Sequence, residues 1–568
     1  LGLERARHYV QDQGLSFAEA LEVVRASTVF TTHTPVPAGH DVFNWDMMDR
    51  FFSHYWPQLG LERQPFLELA RHDQVWGPGF SMTVLALHMA GRTNGVAALH
   101  GIVSRDMWQW LWPGTPVDEI PIGHVTNGVH LETWLGPEMA ALLDAHLPAG
   151  WRDRLDEPGV LDGIYAIPAA DFWHTHMAAK RRLIDFVRRR ARARALRQGE
   201  SPAVLAQIEH VFDVDAFTIG FARRFATYKR ANLIFQDMER FNRLLHSPQG
   251  PTQIMFSGKA HPADDAGKAY IQHIVRVAQT PEYWDKVGFI ENYDMNVGRY
   301  LVQGVDLWLN NPRRPREASG TSGEKAAMNG VPNLSVLDGW WVEGYNGKNG
   351  WVIGEEREYR DYEVQDEADA LSLYRALEHD IVPLFFDRDD EGVPQGWVAV
   401  AKEAMHSSLW AFSFRRMLEE YCQQLYSPAA HGSARAAADQ FAAARDLAAW
   451  KAKVRQSWPQ VNAAAQGPDE SQLTIGEAAT VSAQVHLGVL RPEDVLVEIV
   501  YGGDDGGGLT EPVATAMALV ETQANGVLLY RGDFEPNHTG ALVYGVRVLP
   551  HHPAMLNKHE LGLVCWAY

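Results

Sequence analysis

The chain has 568 residues, room for about three to five domains at ~100–200 residues each, so a single small module is excluded. Hydrophobic residues make up 46% and charged residues 21%, with 19 Trp, 18 Tyr and 23 Phe, which suits large packed cores and not a disordered chain. The formal charge of −20 would repel phosphate backbones and anionic membranes over most of the surface, so neither nucleic acid nor a membrane is expected as partner. Cys422 and Cys565 are too few for a disulfide framework or a four-cysteine zinc site, and the expected location is cytoplasmic. No stretch reaches the ~20 apolar residues that span a bilayer, and the segment from Leu1 to Arg7 lacks the apolar core of a signal peptide.

Residues 1–130 mix helical patterns with loops rich in Gly, Pro, His and Thr, notably Thr31 to His40, and show no run of alternating strands and helices. Residues 170–198 read as a long helix loaded with Lys180, Arg181, Arg182, Arg188, Arg189, Arg190, Arg192, Arg194 and Arg197. An anion-binding helix is one reading. A solvated face opposite an apolar stripe of Leu183, Ile184, Phe186 and Val187 is the preferred one, because blocks of charge usually face water. From about Phe217 to Gly354, short apolar runs (Phe217–Phe221, Gln253–Phe256, Val287–Ile290, Val305–Leu309) precede polar turns and helical patterns, as in a parallel sheet of βαβ units. Helical patterns return over 369–426 and 434–456. Beyond about Gln466 the period drops to two, with turn signals at Gly502–Gly508 and Asn525-Gly526, which predicts an appended β-rich, sandwich-like domain. The expected division is 1–130, 131–460 and 461–568.

Two strand-to-loop junctions carry the chemistry. Val305–Asn311 followed by Glu317-Ala318-Ser319-Gly320-Thr321-Ser322-Gly323-Glu324-Lys325 puts backbone N–H groups at a helix start, where anions bind readily; no Ser or Thr follows the lysine, so this is not an NTP-binding P-loop. Thr218–Arg230 places Arg223, Arg224, Lys229 and Arg230 beyond a strand's carboxyl end, where open α/β sheets bind ligands. His551, His552 and His559 lack neighbouring Cys or clustered carboxylates, so no metal is expected.

Together these motifs resemble the α-glucan (glycogen, starch, maltodextrin) phosphorylase family, as do Thr32-His33-Thr34-Pro35, Asn94-Gly95-Val96-Ala97-Ala98-Leu99-His100 and Thr126-Asn127-Gly128-Val129 up to Trp134. The Ser322-Gly323 form of the loop, with the β-rich carboxyl domain, resembles the shorter bacterial and archaeal branch. The resemblance implies an α/β chain of GT-B type, two Rossmann-like domains facing a cleft with the first incomplete, and pyridoxal 5′-phosphate held as a Schiff base by Lys325. It implies that Arg224 and Lys229 bind the substrate phosphate and the cofactor phosphate, with Arg223 beside them and Thr321 also toward the cofactor. Glu317, Ser319 and Gly320 would hold hydroxyls of the reacting glucose, His33 would contact that sugar from the opposite wall, and Asn127 would reach its outer hydroxyls. The implied reaction is phosphorolysis of α-1,4-glucan by inorganic phosphate to α-D-glucose 1-phosphate, with retention. A nucleotide-sugar glycosyltransferase and a non-catalytic glucan-binding remnant are the alternatives; nothing in the sequence points to an oligomeric state.

Two departures from the family pattern stand out. The family's Gly-rich phosphate loop has no counterpart before Thr31, so with the Leu1 start the expectation is a chain lacking half of its first domain and weakly active at best. Glu324 places a carboxylate next to Lys325, where longer family members carry Asn-Met, and either raises the pKa of Lys325 or caps the helix.

Overall fold

The computed structural model describes residues 1–468, 472–504, 509–524, 526–536 and 539–567. Six short strands lie in the first 124 residues: β1 (Val29–Thr31), β2 (Val42–Asn44), β3 (Arg71–Gln74), β4 (Gly77–Ser81), β5 (Arg92–Gly95) and β6 (Ile122–His124). β1, β5 and β6 pair in parallel in that order, and β2-β4-β3 is antiparallel. This corrects the expectation of no strand–helix alternation here, since helix Met82–Met89 leads into β5 and helix Ala98–Trp108 follows it. Strands of three or four residues such as Arg92-Thr93-Asn94-Gly95 carry no apolar run for a sequence pattern to register.

Contacts group the chain into two units, which cut it differently from the three-part division read from the sequence. The first unit joins Leu1–Gly95 and Gly101–His124 with Tyr421–Tyr568; the second is Val96–His100 with Val125–Glu420.

In the first unit, helix Ser427–Ser457 packs on helix Phe17–Ala26, with Ala436 and Ala444 in one core with Phe17, Ala20 and Val24; its helical path is broken at 438–441. Lys451, buried, pairs with Glu22 at 2.6 Å and with Glu560. The β-rich region is two antiparallel four-stranded sheets, as expected of a sandwich. One runs Asn462–Gln466, Ala479–His486, Leu528–Phe534, Ala518–Thr522; the other runs Leu509–Ala516, Val495–Asp504, Leu542–Pro550, Cys565–Trp566. Alternation fills their shared core: in Ala479–His486 every second residue is buried, and Val481, Val485, Ile499 and Val548 meet there. Gly502, Gly503 and Asp504 belong to a strand and not to a loop. Residues 505–508 and Asn525, on which the remaining turn signals fall, lie outside the described residues. Arg547, fully buried, bridges Glu498 at 2.6 Å and Glu119, which ties the sandwich to the segment before β6.

The second unit is built on six parallel strands: β7 (Phe217–Ala222), β8 (Thr252–Ser257), β9 (Val287–Ile290), β10 (Leu307–Asn310), β11 (Asn333–Val336) and β12 (Gly350–Ile353), in the order β12-β11-β10-β7-β8-β9. Four were expected from their apolar runs; β11 and β12 were not, being four-residue strands with Asn, Ser or Gly among them. The strand order reverses between β7 and β10, and ligands of such sheets bind at that switch point.

The expected long helix is Ala169–Gln198, and its stripe is as read: Leu183, Ile184 and Val187 are buried and Phe186 stacks on Tyr300. Arg182, Arg192 and Arg194 pair with Glu138, Glu209 and Glu291. Lys180 departs from the solvated face. It is wholly buried, 2.6 Å from Asp306, which also meets His176 Nε2 at 2.7 Å and accepts the Thr218 N–H, so that it pins the helix to the start of β7.

Candidate active site

The site is built where β7 and β10 end. β7 hands over to Arg223, whose N–H bonds Ser257 O at the end of β8. A Cβ at Gly258, φ +149°, would stand 1.9 Å from Arg223 O, so only glycine lets these two turns touch. The following turn, Thr227–Lys229, ends at Arg230, a buried residue at φ +47°. Its guanidinium donates to Asn311 O and Pro312 O and pairs with Asp366 and Asp369, which fastens the β7 loop to the β10 loop.

The β10 loop then brings Glu317 back to β7. Glu317 Oε2 lies 2.9 Å from Arg223 Nη2 and 3.0 Å from Lys229 Nζ, all three groups buried. The loop is held from behind by β11: Asp338 accepts the Glu317 and Gly339 N–H groups, and Trp340 N–H donates to Ser319 O. Gly320, at φ +85°, makes the left-handed step into helix Thr321–Ala327.

Burial alone would raise the Glu317 carboxyl, but the Arg223 and Lys229 charges outweigh it and hold it below the usual carboxylate range. Burial, with Arg223 adding repulsion, brings Lys229 down to about 8. Burial pushes Asp338 up to about 8, helped by the Glu317 charge, so at neutral pH it is largely protonated. Arg223 keeps one buried nitrogen, Nη1, without a partner, which leaves a donor for a further anion.

Lys325 lies in the same short helix, its amine 4.1 Å from the centre of the Trp134 ring. Burial lowers its pKa. A lysine so desolvated is readied for attack on a carbonyl. Asn127 is positioned through its backbone: Arg416 donates to the carbonyls of Thr126 and Asn127, and Glu343 accepts from the Thr126 hydroxyl and the Ala98 N–H.

Of the residues singled out in the sequence, Arg223, Lys229, Glu317, Ser319, Gly320, Thr321 and Lys325 converge on the β7 and β10 ends. Arg224 is exposed and stands beside Tyr228. His33 is exposed, two residues past β1 in the first unit. Sequence reasoning missed Asp338, Glu343 and Arg416, and it named Trp134 only as the end of a motif, not as the ring against Lys325. Asp338-Gly339 at the end of an apolar run was a visible turn signal; Arg416 had none. Among the described residues no group of three His, Cys, Asp or Glu could hold a metal; His559 is buried near Glu119 and Arg547, and burial brings it down to about 4.

A family model described as carbohydrate phosphorylase matches residues 3–349, and one described as glycogen phosphorylase C-terminal domain matches residues 458–568. The chain belongs to the carbohydrate phosphorylase family. It is 42% identical to a maltodextrin phosphorylase of Thermococcus litoralis over 98% of this chain and 65% of that protein. It is also 42% identical to a glycogen phosphorylase of Mycobacterium tuberculosis over all of this chain and 66% of that one, and 41% identical to a glycogen phosphorylase of Aquifex aeolicus over 73% of this chain and 59% of that protein. The chain thus spans slightly under two thirds of the length of its first two relatives here.

Proposed function

We propose that this chain carries the α-glucan phosphorylase reaction, the reversible phosphorolysis of α-1,4-glucan to α-D-glucose 1-phosphate with retention, in a GT-B arrangement and in the cytoplasm. The observation that carries the reading is the buried Arg223–Lys229–Glu317 group at the β7–β10 switch point, with Lys325 eight residues beyond Glu317 in the same loop-to-helix segment, in a member of this family. Glycosidic cleavage requires a proton on the leaving oxygen and negative charge beside the oxocarbenium-like transition state. A substrate phosphate, with a second pKa of ~6 by analogy with phosphate monoesters, can give that proton and then attack as the dianion.

Arg223, Lys229 and the exposed Arg224 would supply fixed positive charge for phosphate. Glu317, which balances Arg223 and Lys229 here, would turn to sugar hydroxyls together with Ser319 and Gly320, while Asn127 would reach the same sugar. The residues present fit pyridoxal 5′-phosphate: a desolvated lysine amine at Lys325 for its aldehyde, and the unpartnered Arg223 Nη1 with Lys229 and Thr321 on its phosphate side. When bound, the cofactor would supply a second phosphate able to exchange a proton with the substrate's. Asp338 fixes the loop that presents Glu317, and Trp134 shields Lys325 from water. The phosphorylase names of the relatives lend nothing to a nucleotide-sugar transferase or a binding remnant.

The test is proton NMR of the products from glucan with and without phosphate. α-Glucose 1-phosphate that forms only with phosphate is expected, and abundant free glucose without phosphate would refute the reading.

A further inference from the structure

Glu324 is one of the buried carboxyls of the second unit and has no place in the reaction just outlined. It is the fourth residue of helix Thr321–Ala327, whose N-cap is Gly320 with no side-chain cap, so Glu324 does not cap the helix. Its side chain is fully buried, and neither carboxyl oxygen has a hydrogen-bond partner. The charged groups that face it are Lys325, Arg416 and Glu343. None is within ion-pair distance of it: Lys325 rests on Trp134, Arg416 spends its donors on Ala411 O, Thr126 O, Asn127 O and Glu420, and Glu343 is occupied by Ala98 and Thr126.

The helices packed against it add no counter-charge. Lys402 and Glu403 are bonded to Ile167 O and to Tyr165 and Asn346, and His406 pairs with Asp162. The neutral polar neighbour is Ser319, whose Oγ is buried and likewise unpartnered. A buried carboxylate without a counter-ion is costly, whereas a neutral carboxyl can donate its proton.

We infer that Glu324 is a positioning residue: its carboxyl stays neutral inside the protein and, with a side-chain adjustment that closes the gap left between the two unpartnered groups, donates a hydrogen bond to Ser319 Oγ, which sets the direction in which that hydroxyl meets a sugar. The role in sugar binding rests on the phosphorylase reading above; the charge state of Glu324 does not. Burial pushes the Glu324 carboxyl well above the usual range, in keeping with this geometry. Below that raised value the donor is present, and rising pH removes it.

Two measurements on the whole chain decide the matter. In infrared difference spectra at pH 7, Glu324→Gln minus wild type should lose a protonated-carboxyl C=O band, with the Asp338 band cancelling between the two; loss of a carboxylate band instead would overturn the inference. Calorimetry with D-glucose, an uncharged probe on which the Lys229 charge weighs little, reads the positioning. Glu324→Leu and Ser319→Ala should each weaken binding about tenfold, and the double variant no further, whereas Glu324→Gln, which keeps an N–H donor, should stay within about twofold of wild type. Additive losses, or wild-type affinity in Glu324→Leu, would refute the coupling through Ser319. A wild-type chain that binds no glucose would refute the phosphorylase reading and, with it, the sugar-directed role, while the infrared band still decides whether Glu324 is neutral.

Discussion

Lys229→Met tests the anion site through both charge and pH. In the structure Nζ lies 3.0 and 3.1 Å from the two Glu317 oxygens and is buried, and its pKa is brought down to about 8. About nine in ten Lys229 side chains are then charged at pH 7, half at pH 8 and one in ten at pH 9. A charge-assisted contact to an anion contributes roughly 1.5–3 kcal/mol, so the variant should bind phosphate about 10- to 150-fold more weakly at pH 7. As pH rises through 8 the wild type loses the same contact, and its affinity should converge on that of the variant. Stability follows the opposite sign. The folded pKa lies below the unfolded value of 10.5, so the unfolded chain holds more protons between about 8 and 10.5, and stability from this group rises over that window. The assay is phosphate calorimetry at pH 7, 8 and 9 with thermal melts alongside. Equal phosphate affinity of the two proteins at pH 7, or a fall above pH 8 that persists in Lys229→Met, would refute the assignment.

Borohydride reduction of protein loaded with pyridoxal 5′-phosphate, followed by peptide mapping, should place the label on Lys325, the desolvated amine over Trp134; a label on another lysine would remove it from the site. Gly339→Ala should destabilise by about 2 kcal/mol or more, because residue 339 sits at φ +56° and the added Cβ would stand 2.3 Å from Ser319 O; a denaturant midpoint equal to wild type would contradict that clamp. Arg547→Met should cost about 3–5 kcal/mol by leaving Glu498 and Glu119 without their shared buried partner. Urea unfolding reads this, and a loss under about 1 kcal/mol would show that Lys558 suffices for both carboxylates.

What the sequence determined by itself was local. The apolar runs at 217–221, 253–256 and 287–290, the arginine-rich helix and the period-two carboxyl region each declare their structure over a few residues, because burial on one face or both imposes a pattern on neighbours in the chain. The Arg223 to Lys229 and Glu317 to Lys325 segments were legible for the same reason: each is a contiguous strand-to-loop junction. Tertiary structure decided whatever depends on residues far apart in the chain. That Lys229 and Arg223 meet Glu317, that Lys180 is drawn from a charged helix into the core by Asp306, and that Arg416 holds Asn127 follow from strand order and packing, and the separations are 88 to 289 residues. The short strands β1, β5, β11 and β12 stayed hidden because their neighbours in the sheet, and not their own three or four side chains, make them strands. Glu324 shows the same division, for its sequence position suggested a helix cap or a charge beside Lys325, whereas complete burial without a counter-ion makes its neutral form the favoured one.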